Sequence, residues 1–414
     1  MKRFFPIQSE TACRLKWAWS TIYLTEAKTA SCHRASSANL TLENFDNFHN
    51  LENKIRDRAI MLEGRWPGSG CEYCRDIELS GGYSDRQFQL TVPDVYPSEL
   101  DIDPTAKEVS PVILEIFFDK TCNLGCLYCT EKYSSTIAKE NQKFGYIDVL
   151  GPRGINTHNH YESLVPRLWL WLKQHSESLI RLGILGGEPL IQSDFLKILD
   201  FFEEHPNPRL EFYVVTNLMV KPAHLKHHID RIQTLIKKQS IGKVDILASV
   251  DSWGPAQEYV RWGLDRDVFE SNLQQIIAQK NITLGLLSTV NSLSIHELPD
   301  LAEKFLEWNS DREISWYLHF VLPMGKHVLS PNVFSYDLWR PYLDKTLSCI
   351  PDTTFNHRNT KNTLQGIMTR LLDSKSDYLA QQNLIMYLNE IDRRRNLNWR
   401  STFPWLENAL ADVV

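Results

Sequence analysis

Between residues 112 and 322, six short runs rich in β-branched and aromatic residues alternate with amphipathic stretches, and this alternation constrains the fold more than any other feature. Apolar residues at every second position suit strands, and those at every third and fourth suit helices lying on a sheet. The strands are read at 112–118, 181–185, 211–215, 243–250, 283–290 and 314–322, and the helices at 161–177, 193–204, 223–238, 265–279 and 295–308. A parallel neighbour needs a long crossover, which a helix supplies, so the expected class is α/β: a partial (β/α)6 TIM barrel over 112–323. In such folds chemistry gathers at the C-terminal ends of the strands.

The flanking regions read differently. Residues 91–111 form a linker, since 93–111 hold four prolines, several acids and no helical period. Residues 1–90 read as a small α+β domain, with a hairpin at 17–24 and 29–34 and a helix at 51–62 whose inner face is Leu51, Ile55, Ala59 and Leu62. Residues 324–414 read as mainly helical, without a motif. With 45 basic and 51 acidic side chains the net charge is -6, which provides no basic field for nucleic acid. No stretch approaches the roughly 20 apolar residues of a membrane span and the first ten residues do not form a signal peptide, so the expectation is a cytoplasmic protein with no membrane partner.

Seven of the eight cysteines fall in the first third of the chain. In a reducing compartment that clustering points to metal ligation rather than disulfides. The densest group, Cys122-Asn-Leu-Gly-Cys126-Leu-Tyr-Cys129, follows the first strand of the repeating unit, with Gly125 read as a tight turn. Three soft thiolates in one loop suit an iron-sulfur cluster with one iron left for a non-protein ligand. The rival is a zinc ribbon pairing Cys71-x-x-Cys74 with Cys126-x-x-Cys129, which leaves Cys122 unused and draws its halves from two domains.

This loop resembles that of the radical S-adenosylmethionine (SAM) superfamily, and the resemblance extends along the later strand ends. Gly186-Gly187-Glu188-Pro189 after the second strand is similar to the family's GGE motif: glycines allow close backbone approach to a ligand, and Glu188 offers a carboxylate to an ammonium group. Thr216 and Asn217 end the third strand, and Ser249 and Asp251 end the fourth, where the family contacts the ribose and methionyl parts of SAM. Arg261 is placed to pair with the SAM carboxylate and Tyr128 to lie beside the adenine. The fifth and sixth strands carry no clear glycine-rich adenine motif. The resemblance implies a 4Fe-4S cluster on Cys122, Cys126 and Cys129 that chelates SAM and reduces it to a 5'-deoxyadenosyl radical. That radical then takes a hydrogen atom from the substrate.

Cys13, Cys32, Cys71 and Cys74 lie on the expected hairpin, helix and C-x-x-C turn, and together resemble a twitch domain holding an auxiliary 4Fe-4S cluster, here ahead of the barrel. A zinc ion, or metal on Cys71 and Cys74 with the other two buried, are the alternatives. The segment 69–86, with Glu78, Gly81, Gly82, Asp85 and Arg86, reads as framework for that domain. Cys349 stands apart: a lone cysteine returns hydrogen to the substrate radical in the superfamily's peptide epimerases, while beside Ile350 it reads as a small buried hydrophobe. His158, His160, His224, His227 and His228 read as solvated surface, Trp169 and Trp171 as core, and Arg393-Arg394-Arg395 as a solvated helix end.

The resemblance thus implies a radical enzyme maturing a ribosomally made precursor peptide by cross-linking, epimerisation or backbone excision. Its expected partners are that peptide, a separate leader-recognition protein and an electron donor such as flavodoxin or ferredoxin. A small-molecule substrate is the rival within the class, and a non-catalytic zinc-scaffolded binding protein the rival outside it.

Overall fold

The computed structural model describes residues 11–32, 34–68, 70–79, 84, 86–87, 103, 105–150, 159–320 and 327–410. Its main sheet contains β1 (Trp19–Tyr23), β2 (Lys28–Ala30), β3 (Ala38–Asn39), β4 (Ile113–Phe117), β6 (Arg181–Leu185), β7 (Asn207–Thr216), β8 (Ile241–Ser249), β10 (Thr283–Val290) and β11 (Ser315–Phe320). Two short strands, β5 (Gly125–Cys126) and β9 (Arg261–Trp262), pair separately in antiparallel fashion. The main order is β11-β10-β8-β7-β6-β4-β1-β2-β3, parallel from β11 through β1 and antiparallel from β1 to β3.

All six strands expected from periodicity are present. The helices between them, Tyr161–His175, Ser193–Glu204, Pro222–Lys237, Arg266–Ile277 and Leu298–Trp308, match their expected positions to within a few residues. Each presents a stripe such as Phe195, Ile198, Leu199 and Phe202 to one continuous core. Trp171 is buried against Phe48 and half-buried Trp169 packs on the same core, as expected. His228 departs from its expected solvated position: it is buried, edge-on to Phe195, and one ring nitrogen is 2.9 Å from the carbonyl of Leu190. His224 and His227 on the same helix are exposed, and His158 lies outside the described residues.

The N-terminal hairpin joins the main sheet. β1 and β2 pair antiparallel, and β1 runs parallel to β4 with Trp19 opposite Ile113, so these residues extend the repeating unit's sheet. The helix Glu52–Leu62 forms where expected but buries another face, namely Lys54, Asp57, Arg58 and Met61, leaving Ala59 and Leu62 exposed. Partners far away in sequence decide this. Lys54 donates to the hydroxyls of Ser20 and Thr29, both at 2.9 Å, and Lys16 pairs with Asp57 at 2.7 Å. Most of the expected linker lies outside the described residues. Beyond β11 the described residues 327–410 are mainly helical, with Tyr336–Cys349, Phe355–Leu371 and Tyr378–Arg395 as the long helices. Phe355–Leu371 covers edge strand β11, where Thr360 donates to the Trp316 carbonyl at 2.8 Å. No helix among the described residues is long and apolar enough to cross a membrane.

Candidate active site

Because the strands are parallel, the loops after β4, β6, β7 and β8 meet at one end of the sheet. The cysteine loop leaves β4 there and is closed by helix Ser135–Phe144, whose start is capped by Ser134 accepting from the Ile137 amide. The Ser134 hydroxyl donates to the Leu124 carbonyl at 2.9 Å, and the Ser135 hydroxyl accepts from the Cys122 amide at 3.1 Å. The loop thus folds back onto its own following helix.

Gly186 and Gly187 both have positive φ, +87° and +57°. A Cβ on Gly187 would stand 2.2 Å from the Thr121 carbonyl oxygen, so glycine is required there by the cysteine loop itself. Gln192, which carried no signal in the sequence, donates from one amide nitrogen toward the carbonyls of Asp119, Thr121 and Gly186 at 3.0–3.2 Å. Glu188 is fully buried and ties three segments together. One oxygen accepts from the Thr216 hydroxyl at 2.6 Å and the Leu190 amide at 3.1 Å, and the other accepts from the Asn217 amide at 2.6 Å. Burial pushes its carboxyl up to about 7 against the opposing pull of those donors and Arg261.

The Asn217 side-chain amide donates to Asn123 at 3.0 Å and lies 3.9 Å from the Cys122 sulfur. Ser249, buried, ends β8. Asp251 is fully buried and accepts from Tyr128 at 2.6 Å, from Arg261 at 2.9 and 3.0 Å, and from the Thr289 amide at 2.8 Å. Arg261 forms a bidentate pair with Asp251, and its remaining nitrogen points to the Cys126 sulfur at 4.0 Å. Burial pushes the Cys126 thiol up to about 11, opposed by Arg261 and Arg395. Burial also raises Cys122 and Cys129, and the neighbouring thiols Cys126 and Cys122 raise Cys129 further.

The donor set fits an iron-sulfur cluster: three thiols on one loop, with the Leu124 amide 3.5 Å from the Cys122 sulfur and Arg261 near that of Cys126 to stabilise thiolate charge. Gly125 does not make the expected turn. It lies in β5 opposite Trp262, and a Cβ there would meet Trp262 at 2.9 Å and Arg395 at 3.2 Å.

The other four cysteines also come together. Cys13, Cys32, Cys71 and Cys74 line one cavity with Lys16 and Trp66, beside a small core of Leu15, Trp17, Trp19 and Met61 that is separate from the main one. Gly70, at φ +86°, presses the Cys71 turn onto the segment after Cys32, since a Cβ would stand 2.4 Å from the Arg34 carbonyl oxygen. Arg86 pairs with Glu78 and donates to the Ala12 carbonyl at 2.8 Å, next to Cys13. Ser69, Gly81, Gly82 and Asp85 lie outside the described residues. Burial raises the Cys13, Cys32 and Cys71 thiols, while the buried Lys16 ammonium lowers Cys32 and Cys71. Among the described residues no three His, Cys, Asp or Glu side chains are grouped as ligands to a single metal ion. A cluster gives each thiolate its own iron and does not ask for that closeness. Cys349 ends the helix Tyr336–Cys349, half-buried against the main core.

The solved structures similar to this chain include SuiB from Streptococcus suis bound to S-adenosylmethionine, which covers 58% of this chain and 48% of its own at 14% identity and a TM-score of 0.38. The anSMEcpe structure with bound AdoMet and the Kp18Cys peptide covers 58% and 60% at 16% identity and a TM-score of 0.38. Coproporphyrinogen III oxidase (HemN) from Escherichia coli, a radical SAM enzyme, covers 63% and 52% at 13% identity and a TM-score of 0.33. The chain spans 48% to 60% of the length of these three. No family model and no curated protein matches it.

Proposed function

We propose that the chain is a radical SAM enzyme. One observation carries the reading: a loop with three cysteines leaves the C-terminal end of a parallel strand, and the glycine pair, Asn217 and Asp251 with Arg261 stand at the ends of the next three strand units around it. Cys122, Cys126 and Cys129 would hold a 4Fe-4S cluster, which when bound supplies the electron that cleaves SAM to a 5'-deoxyadenosyl radical. The chain's own residues prepare the place. The backbone of Gly186 and Gly187, the amide of Asn217, the hydroxyl of Ser249 and the ring of Tyr128 are the proposed SAM contacts. Glu188, Thr216, Asp251 and Arg261, further proposed SAM contacts, also hold those loops in register and put a guanidinium beside one thiolate. Preset dipoles in a buried site need no reorganisation when charge moves, which is how a protein serves chemistry that its cofactors perform.

The cavity with four cysteines is proposed to hold an auxiliary 4Fe-4S cluster, with Lys16 offsetting part of its negative charge. On the family resemblance, the proposed substrate is a ribosomally made precursor peptide, delivered by a separate leader-recognition protein and with electrons from a flavodoxin or ferredoxin. Iron and labile sulfide per chain after anaerobic reconstitution test the sites. About eight irons, falling to about four when Cys122, Cys126 and Cys129 are all alanine, support two clusters. About four falling to none removes the auxiliary cluster, and zinc without iron removes the reading altogether.

A further inference from the structure

Arg393-Arg394-Arg395, expected to be a solvated helix end, is mostly interior. Arg393 is exposed, but the Arg394 and Arg395 side chains are each only 2% exposed. Arg395 donates to the Gly125 carbonyl at 2.8 Å and to Glu140 at 2.7 Å, and its guanidinium lies 4.9 Å over the Trp262 ring. Two turns earlier on the same helix, the Tyr387 hydroxyl donates to the Leu127 carbonyl at 2.6 Å. Gly125 and Leu127 are the neighbours of Cys126. The helix Tyr378–Arg395 therefore holds the backbone on both sides of the central cysteine.

The helix is itself fixed. Arg394 donates to the Gly145 carbonyl at 2.9 Å, and Asp392 accepts from Tyr259 at 2.6 Å and the Trp399 amide at 2.8 Å. Asn396, left-handed at φ 54°, ends it directly after Arg395. Glu140 takes the Nε and Nη2 side of the Arg395 guanidinium, and Nη1 donates to the carbonyl of Gly125, the residue before Cys126.

We propose that Arg395 and Tyr387 are positioning residues for Cys126, and that the Arg395 charge raises the reduction potential of the cluster bound there. The second half rests on the cluster reading. The physical reason is that reduction adds negative charge, and a buried cation bonded to the residue before Cys126 favours the more negative state.

Two readouts test this on the full chain. In metal-free, reduced protein, the alkylation rate of Cys126 relative to Cys122 is followed by mass spectrometry. Arg395→Met and Tyr387→Phe are each expected to raise it roughly tenfold, as loss of one strong hydrogen bond implies. In reconstituted protein, an EPR-monitored redox titration is expected to give a more negative midpoint for Arg395→Met, with Arg395→Lys and Tyr387→Phe near wild type because they keep the charge. Unchanged Cys126 labelling in both variants overturns the clamp, and an unchanged midpoint in Arg395→Met overturns the charge effect. If Arg395→Met does not fold, Tyr387→Phe decides the clamp. In that case Arg395→Gln, which removes the charge and keeps a donor, replaces it in the redox titration, and an unchanged midpoint there overturns the charge effect. Wild-type protein that takes up no iron overturns the cluster reading and with it the charge effect, while the labelling result still decides the clamp.

Discussion

Replacing Asp251 by Asn leaves the Arg261 guanidinium buried beside Cys126 without its counter-charge. Asp251 is fully buried and Arg261 6% exposed, and the pair is bidentate at 2.9 and 3.0 Å. Asn keeps one acceptor oxygen and places an NH2 where the other accepted from Tyr128 and Arg261, so donors face donors. Breaking a buried ion pair of this kind costs about 3–5 kcal/mol, and Arg261→Met costs a similar amount by stranding the carboxylate. The double variant strands neither charge. Its loss therefore falls short of the sum of the two single losses by about 3 kcal/mol, at the upper end of measured couplings. The assay is urea unfolding of the metal-free, reduced protein at pH 7.5, followed by tryptophan fluorescence. Additive losses, with coupling under about 0.5 kcal/mol, would refute the reading of Asp251 and Arg261 as an energetically coupled buried ion pair.

Glu188 gives a pH test. Its folded pKa is raised from 4.5 to about 7, chiefly by burial, so the folded state binds this proton more tightly than the unfolded chain. That contribution is fully present below pH 4.5 and lost as pH rises through about 7. The gap is worth about 3 kcal/mol in all, and Glu188→Gln is expected to remove about 2.5 kcal/mol of the stability decline between pH 5 and pH 8, read as the difference between the two unfolding profiles. Gly187→Ala should destabilise the metal-free fold by about 2 kcal/mol or more, since φ is +57° and the new Cβ meets the Thr121 carbonyl at 2.2 Å. A thermal shift under 2 °C would contradict that.

The repeating unit was legible because its strands and helices draw on a local signal, the period of apolar residues, and tertiary packing agrees with it. The cysteine loop was legible because its three cysteines lie within eight residues. The features that escaped the sequence depend on distant partners. The stripe Leu51, Ile55, Ala59 and Leu62 looks like an inner face, but Lys54 and Asp57 turn inward because Ser20, Thr29 and Lys16 await them. Arg394 and Arg395 look like a charge run, and their burial rests on Glu140, Gly145 and Gly125, more than 240 residues earlier. The sequence assigns Gly186 and Gly187 to close approach of a ligand, whereas the atoms that crowd Gly187 belong to the backbone entering the cysteine loop and to the Gln192 side chain. The sequence shows β1 only as part of a hairpin, and its register with β4 is what places it in the main sheet.

The Cys122, Cys126 and Cys129 loop is proposed to serve reductive cleavage of SAM. The most direct measurement is 5'-deoxyadenosine formed from SAM by anaerobically reconstituted protein with dithionite, quantified by mass spectrometry against the variant with alanine at all three positions. Formation by wild type and none by the variant is the predicted result. No 5'-deoxyadenosine from wild type carrying its full iron, or equal amounts from both proteins, would contradict it.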